Sequence, residues 1–141
     1  MAGYSKTPLV KKLGIKPGFT MYVENPPPNY QMLIAPLPEA VTILSHLSAN
    51  LDFIHFFTKS RPELAASIGH YAAQIQPNGM IWVSWPKKSA KVATDVTEDV
   101  IREIILPLGL VDVKVCAIDE VWSGLKLVIR RENRPNLRKA Q

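Results

Sequence analysis

Residues Met80–Lys88 read MIWVSWPKK. Six residues fit for a buried strand end on a tryptophan, then a proline, then two lysines. With a second apolar run, DFIHFFT (Asp52–Thr58), this stretch decides the fold, because both are hydrophobic on both faces. Such runs belong to central strands covered on each side, the condition of a parallel sheet. Between them lies Ser60-x-x-Glu63 with Pro62 inside it, a capping box that opens a helix. Its apolar positions Leu64, Ile68, Ala72 and Ile75 recur at helical spacing, and Pro77-Asn78-Gly79 is expected to end it.

The pattern extends in both directions. Upstream, TPLVKKLG predicts a short helix with Thr7 as N-cap and Gly14 just past its end. FTMYVE (Phe19–Glu24) and AVTIL (Ala40–Leu44) predict two further strands, separated by NPPPN and a helical stretch around Tyr30–Ala35. Downstream, Asp95-x-x-Glu98 is expected to cap a helix carrying Val100, Ile101, Ile104 and Ile105 inward. VDVKVCAI and LKLVIRR alternate with period two around DEVWSG, an antiparallel hairpin. Strands alternating with helices predict an α/β, three-layer Rossmann-like sandwich. Its mostly parallel six-stranded sheet should have the order 2-1-3-4-6-5, with only the C-terminal strand antiparallel. One domain over 1–134 and a basic C-terminal tail over 135–141 are expected.

The net charge of +5 is carried by the ends. Residues 1–16 hold four lysines and no acid, whereas 17–129 hold eight bases and eleven acids. This makes specific nucleic-acid binding an unlikely role, the ends being read as solvated tails. No apolar run reaches the roughly 18 residues of a membrane span. The N-terminal stretch lacks the apolar core of a secretory signal, and Cys116 is the single cysteine. A cytoplasmic protein with no membrane partner is expected. His46, His55 and His70 lack the spacing of ligand sets, so no metal is expected, and His55 reads as a hydrogen-bonded core imidazole.

Ligands of such sheets bind at the carboxyl ends of the strands. There the usual phosphate cradle is a glycine-rich turn, but here it is Asn25-Pro26-Pro27-Pro28-Asn29. Three prolines remove three amide donors, and Ser45 and His46 stand where a carboxylate would meet ribose hydroxyls. The rim of the third, fourth and last strands supplies Lys59, Ser84, Trp85, Lys87, Lys88, Asp119, Glu120 and Trp122 as candidate ligand-binding residues. Two tryptophans beside three lysines suit a small anionic or aromatic ligand.

The order of elements resembles the class I S-adenosylmethionine-dependent methyltransferase fold. LGIKPGFTMYVEN is similar to the entry to that family's first strand, LDFIHFF to its fourth, IQPNGMIWVSWPKK to its fifth, and LGLVDVKVCAIDEVWSGLKLVIRR to its closing hairpin. The chain departs from it at ENPPPNY, and one strand–helix unit is missing between Leu44 and Asp52. MAGYSKTPLVKKLGIKPG, WVSWPKK, LPLGLVDVKVCAIDEVWSGLKLVIRR and TEDVIRE also resemble a bacterial family of small proteins known as a domain of unknown function. The departure at the prolines predicts a non-catalytic binding or regulatory module on a methyltransferase-like scaffold, not an enzyme. It would bind a protein or a small anion and use no cofactor, S-adenosylmethionine included. The alternative is a small enzyme, a methyltransferase or an anion-handling one, working from the Trp85–Lys88 rim.

Overall fold

The structure is a computed structural model that describes residues 7–134; the expected basic tail lies outside the described residues. Six strands form one sheet: β1 (Thr20–Glu24), β2 (Thr42–Leu44), β3 (Leu51–Phe57), β4 (Ile75–Pro86), β5 (Leu110–Ala117) and β6 (Trp122–Ile129). Their order is β2-β1-β3-β4-β6-β5. The β1–β2, β1–β3 and β3–β4 pairs are parallel, and β6 runs antiparallel to both β4 and β5. The predicted sheet order and the single reversed strand are those observed.

Two layers of helix cover the sheet. On one face, Leu64 and Ile68 of α3 (Arg61–Ala72) and Ile101 and Ile105 of α4 (Glu98–Ile105) pack on Ile54, Phe56, Ile81, Val83 and Leu125. On the other, Val10 and Leu13 of α1 (Leu9–Leu13) and Tyr30 of α2 (Tyr30–Leu33) pack on Met21, Phe53, Phe57 and Trp82. Each fully buried aliphatic side chain stabilises the fold by about 1.5–3 kcal/mol relative to exposure. The Trp82 indole N–H also donates to the Leu13 carbonyl at 2.9 Å, tying α1 to the central strand.

Several local expectations are corrected. Pro77-Asn78-Gly79 does not end α3, which stops at Ala72; it lies within β4. Leu51 pairs with Ile75 but Phe53 with Met80, so residues 76–79 bulge out of the ladder. The bulge brings the Gly79 Cα so near that a Cβ there would sit 3.0 Å from the Leu51 carbonyl oxygen. Asp95 does not cap α4: Thr97 does, its hydroxyl accepting from Val100 N at 3.1 Å. The Asp95 carboxylate instead accepts from the Arg61 amide at 2.6 Å and caps α3 from across the fold. The N-cap of α1 is Pro8 rather than Thr7, with Gly14 in the left-handed region past its end as expected. The last strand begins at Trp122, so Trp122 and Ser123 belong to β6 and not to the hairpin tip.

Candidate functional site

The connections from β1 diverge at its carboxyl end. The chain reaches β2 on one side by way of α2, and β3 lies on the other. This divergence is where open α/β sheets form their ligand crevice. Asn25 begins the turn with φ 57, the left-handed conformation that a short polar side chain tolerates. Pro26, Pro27 and Pro28 then form a ridge whose far end is fastened by the Tyr30 amide, donating to the Pro27 carbonyl at 3.0 Å.

Clefts open on both sides of this ridge. One, of about 500 Å³, is lined by Asn25 and the prolines, by Phe57, Thr58 and Lys59 at the end of β3, by Glu63, and by Trp122. The other, of about 320 Å³, is lined by the same prolines with Val23, Tyr30, Gln31 and Ile43. The first is polar at its floor. Thr58 Oγ1 donates to Glu63 Oε1 at 2.6 Å, and the Asn25 side-chain amide reaches Glu63 Oε2 at 3.4 Å and the Phe57 carbonyl at 3.3 Å. Ser60 Oγ accepts from the Glu63 amide at 3.1 Å, but the Glu63 carboxylate closes no capping box because Thr58 and Asn25 hold it toward the cleft. At the end of β1 the Tyr22 hydroxyl donates to Glu24, which with burial pushes that phenol up to about 12.

Beneath the ridge lies a buried polar chain. Tyr30 Oη is 2.8 Å from His55 Nδ1, and His55 Nε2 is 2.7 Å from Ser84 Oγ. The phenol is the stronger donor, so we assign Nδ1 as acceptor and Nε2–H as donor to Ser84. His55 has no solvent exposure, and burial lowers its pKa from 6.5 to about 3. It is a neutral core imidazole stacked on Phe57 at 4.2 Å, as its place in an apolar strand suggested. Among the described residues no group of His, Cys, Asp and Glu could hold a metal ion.

The predicted rim residues divide. Lys59 and Trp122 meet in the larger cleft. Ser84 is fully buried against His55, and Trp85 is buried in the cluster under α3 and α4. The answer to MIWVSWPKK is therefore a double-faced core strand: its alternation sends Ser84 to one face and Trp85 to the other, both covered. Lys87 and Lys88 follow its end, in and beside a 3-10 turn, Lys88–Ala90. Asp119 turns back on the hairpin tip, its Oδ1 accepting from the Val121 and Trp122 amides at 2.8 Å, and Glu120 is exposed. Asn25 and Glu63 escaped the sequence reading, which sought backbone amides rather than side chains; Asn directly after the first strand was the available signal.

No protein-family model and no curated protein sequence matches this chain. Solved structures do. Magnesium protoporphyrin IX methyltransferase from Synechocystis PCC 6803, with bound S-adenosylhomocysteine, is 15% identical with a TM-score of 0.57, over 86% of this chain and 78% of that one. A methyltransferase from Aquifex aeolicus that depends on S-adenosylmethionine is 13% identical with a TM-score of 0.56, over 86% and 88%. Aeropyrum pernix fibrillarin, with natively bound S-adenosylmethionine, is 14% identical with a TM-score of 0.54, over 86% and 72%. The fold is that of the S-adenosylmethionine-dependent methyltransferases. These neighbours correct three expectations: they are methyltransferases where a non-catalytic module was expected, enzymes where none was, and two of the three carry bound S-adenosylhomocysteine or S-adenosylmethionine where no cofactor was expected. The error lay in counting only amides lost to the prolines, when the cleft takes its polar groups from Asn25, Thr58, Lys59 and Glu63.

Proposed function

We propose that this chain is a methyltransferase whose S-adenosylmethionine lies across the Pro26–Pro28 ridge. The observation that carries the reading is the pair of clefts sharing that ridge at the carboxyl ends of β1 and β3. Their sizes fall in the range of small-molecule sites. The donor set fits the cofactor. The Glu63 carboxylate suits its ammonium group, while the Asn25 amide and Lys59 suit its carboxylate. Val23, Ile43 and the prolines give an apolar bed for its base. Ser45 and His46 give its ribose hydroxyls no carboxylate. When bound, the cofactor supplies the activated methyl group; the chain's part is to orient it and keep water from the ridge.

Isothermal titration tests this directly. The wild type should bind S-adenosylmethionine, and Glu63→Ala should weaken binding about tenfold or more, because a charge-assisted contact is worth roughly 1.5–3 kcal/mol. No binding at millimolar ligand refutes the proposal. By the stretches it resembles, we place the chain among the bacterial small proteins named above. We propose a cytoplasmic location, in keeping with its single cysteine. We propose residues 1–134 as one domain, with 135–141 as a basic tail. Among the described residues no helix is long and apolar enough to cross a membrane.

A further inference from the structure

We infer that Tyr30, His55 and Ser84 are positioning residues for the cofactor, holding the proline ridge at a set spacing from the end of β3; this rests on the methyltransferase reading above. The ridge is hard to hold by other means. Pro26, Pro27 and Pro28 have no amide hydrogen, so no backbone donor of theirs can tie them to the sheet. The backbone that follows bonds within itself: the Tyr30 amide to Pro27, Leu33 to Asn29, Ile34 to Tyr30 and Ala35 to Met32. Among the described residues, one hydrogen bond leaves the stretch 26–35 for the rest of the fold. It is the bond of the Tyr30 hydroxyl to His55.

That bond fixes a direction, which the apolar contacts of the stretch do not. Tyr30 and Ile34 are buried in the cluster with Met21, Phe53 and Phe57, and such burial is non-directional. The hydroxyl meets a ring with no room to shift. His55 has no exposed surface, is stacked on Phe57 at 4.2 Å, and is held from behind by Ser84 Oγ at 2.7 Å. Ser84 itself is clamped between strands, opposite Phe57 on one side and Gly124 on the other. Its carbonyl accepts from the Thr58 amide at 3.0 Å, and Thr58 holds Glu63 in the larger cleft. Ser84 is thus a common anchor for the ridge and for the wall that shares that cleft with it. A ligand spanning both meets surfaces already set at one spacing and need not order them as it binds.

S-adenosylmethionine titrated into the full chain by calorimetry, well below every melting transition, tests the inference. Tyr30→Phe should bind about fivefold or more weakly, because binding must then order the ridge. His55→Gln, which offers an acceptor oxygen and a donor N–H in place of the two ring nitrogens, should bind within about twofold of wild type. The apolar triple variant Tyr30→Phe, His55→Phe, Ser84→Ala separates positioning from stability: its melting temperature should recover toward the parent's while its affinity does not. Affinity returning with stability would overturn the inference, as would equal binding by Tyr30→Phe and wild type or a His55→Gln protein as weak as Tyr30→Phe. Hydrogen exchange at the Tyr30 amide, whose bond to Pro27 reports on the ridge, is read without ligand. It should be about tenfold faster or more in the triple variant than in wild type, and unchanged exchange would also overturn the inference. A wild type that binds no S-adenosylmethionine but shows that difference in exchange would leave the tether standing and remove the methyltransferase reading alone.

Discussion

Replacing Tyr30 with phenylalanine deletes one oxygen beneath the proline ridge and leaves the ring where it packs. That oxygen is 2.8 Å from His55 Nδ1, and both side chains are buried. Among the described residues Tyr30 is the one side chain that bonds Nδ1, and water has no access to a histidine with no exposed surface. The variant therefore carries a buried acceptor without a donor, which costs about 1–3 kcal/mol. For a domain of this size, roughly 3 °C of melting temperature accompanies each kcal/mol. Urea unfolding followed by tryptophan fluorescence should show a lower midpoint with an unchanged slope, since the exposed surface is the same. The triple variant Tyr30→Phe, His55→Phe, Ser84→Ala replaces the polar chain with apolar groups of similar shape. It should recover part of the loss, because no group remains unpaired. A Tyr30→Phe protein within 0.5 kcal/mol of the parent would refute the reasoning.

The same histidine sets an acid limit. Unfolded, His55 takes up a proton near pH 6.5, but folded only near pH 3, so between these values the unfolded state binds more protons. Stability should fall as pH drops through that window, by up to about 1.4 kcal/mol per unit. Denaturant midpoints at pH 7, 5.5 and 4 check this, and the triple variant lacking His55 should fall less steeply than the parent. At Gly124 of β6 an added Cβ would lie 2.9 Å from Ile118 Cδ1 and 3.1 Å from both Ser84 Oγ and Trp82. Trp82 and Ser84 are fully buried and cannot give way. Gly124→Ala should destabilise by about 1–3 kcal/mol in a calorimetric scan, and an unchanged transition would show that the sheet relaxes.

Much of the fold was legible because its central strands are apolar on both faces, which leaves few places for DFIHFFT and MIWVSWPKK to go. Local punctuation was less reliable. Pro77-Asn78-Gly79 has the composition of a turn, and only the pairing of Leu51 with Ile75 shows it to be a bulge. Asp95 and Thr97 are both good caps by residue type. The choice between them depends on Arg61, 34 residues away, whose amide takes the carboxylate. The site was legible in place but not in parts. Strand alternation, applied to Ser84 and Trp85, would have turned both inward. The Thr58–Glu63–Asn25 contacts join the β3–α3 connection to the turn after β1, two segments that no local pattern links.

The short return from β2 to β3 has a consequence for how the clefts behave in time. β2 has three residues, pairs within the sheet with Thr20, Met21 and Tyr22 of β1, and is followed by six residues with no helix among them. Ile43, from its middle, walls the smaller cleft and is 38% exposed. Local opening draws first on segments with few buried contacts and solvent-facing hydrogen bonds. The sheet is thus rigid from β3 to β6 and soft at the edge that borders the ridge. A ligand settling there must order that edge as it binds, so part of its affinity goes into completing the sheet. Occupancy and the integrity of β2 become one equilibrium.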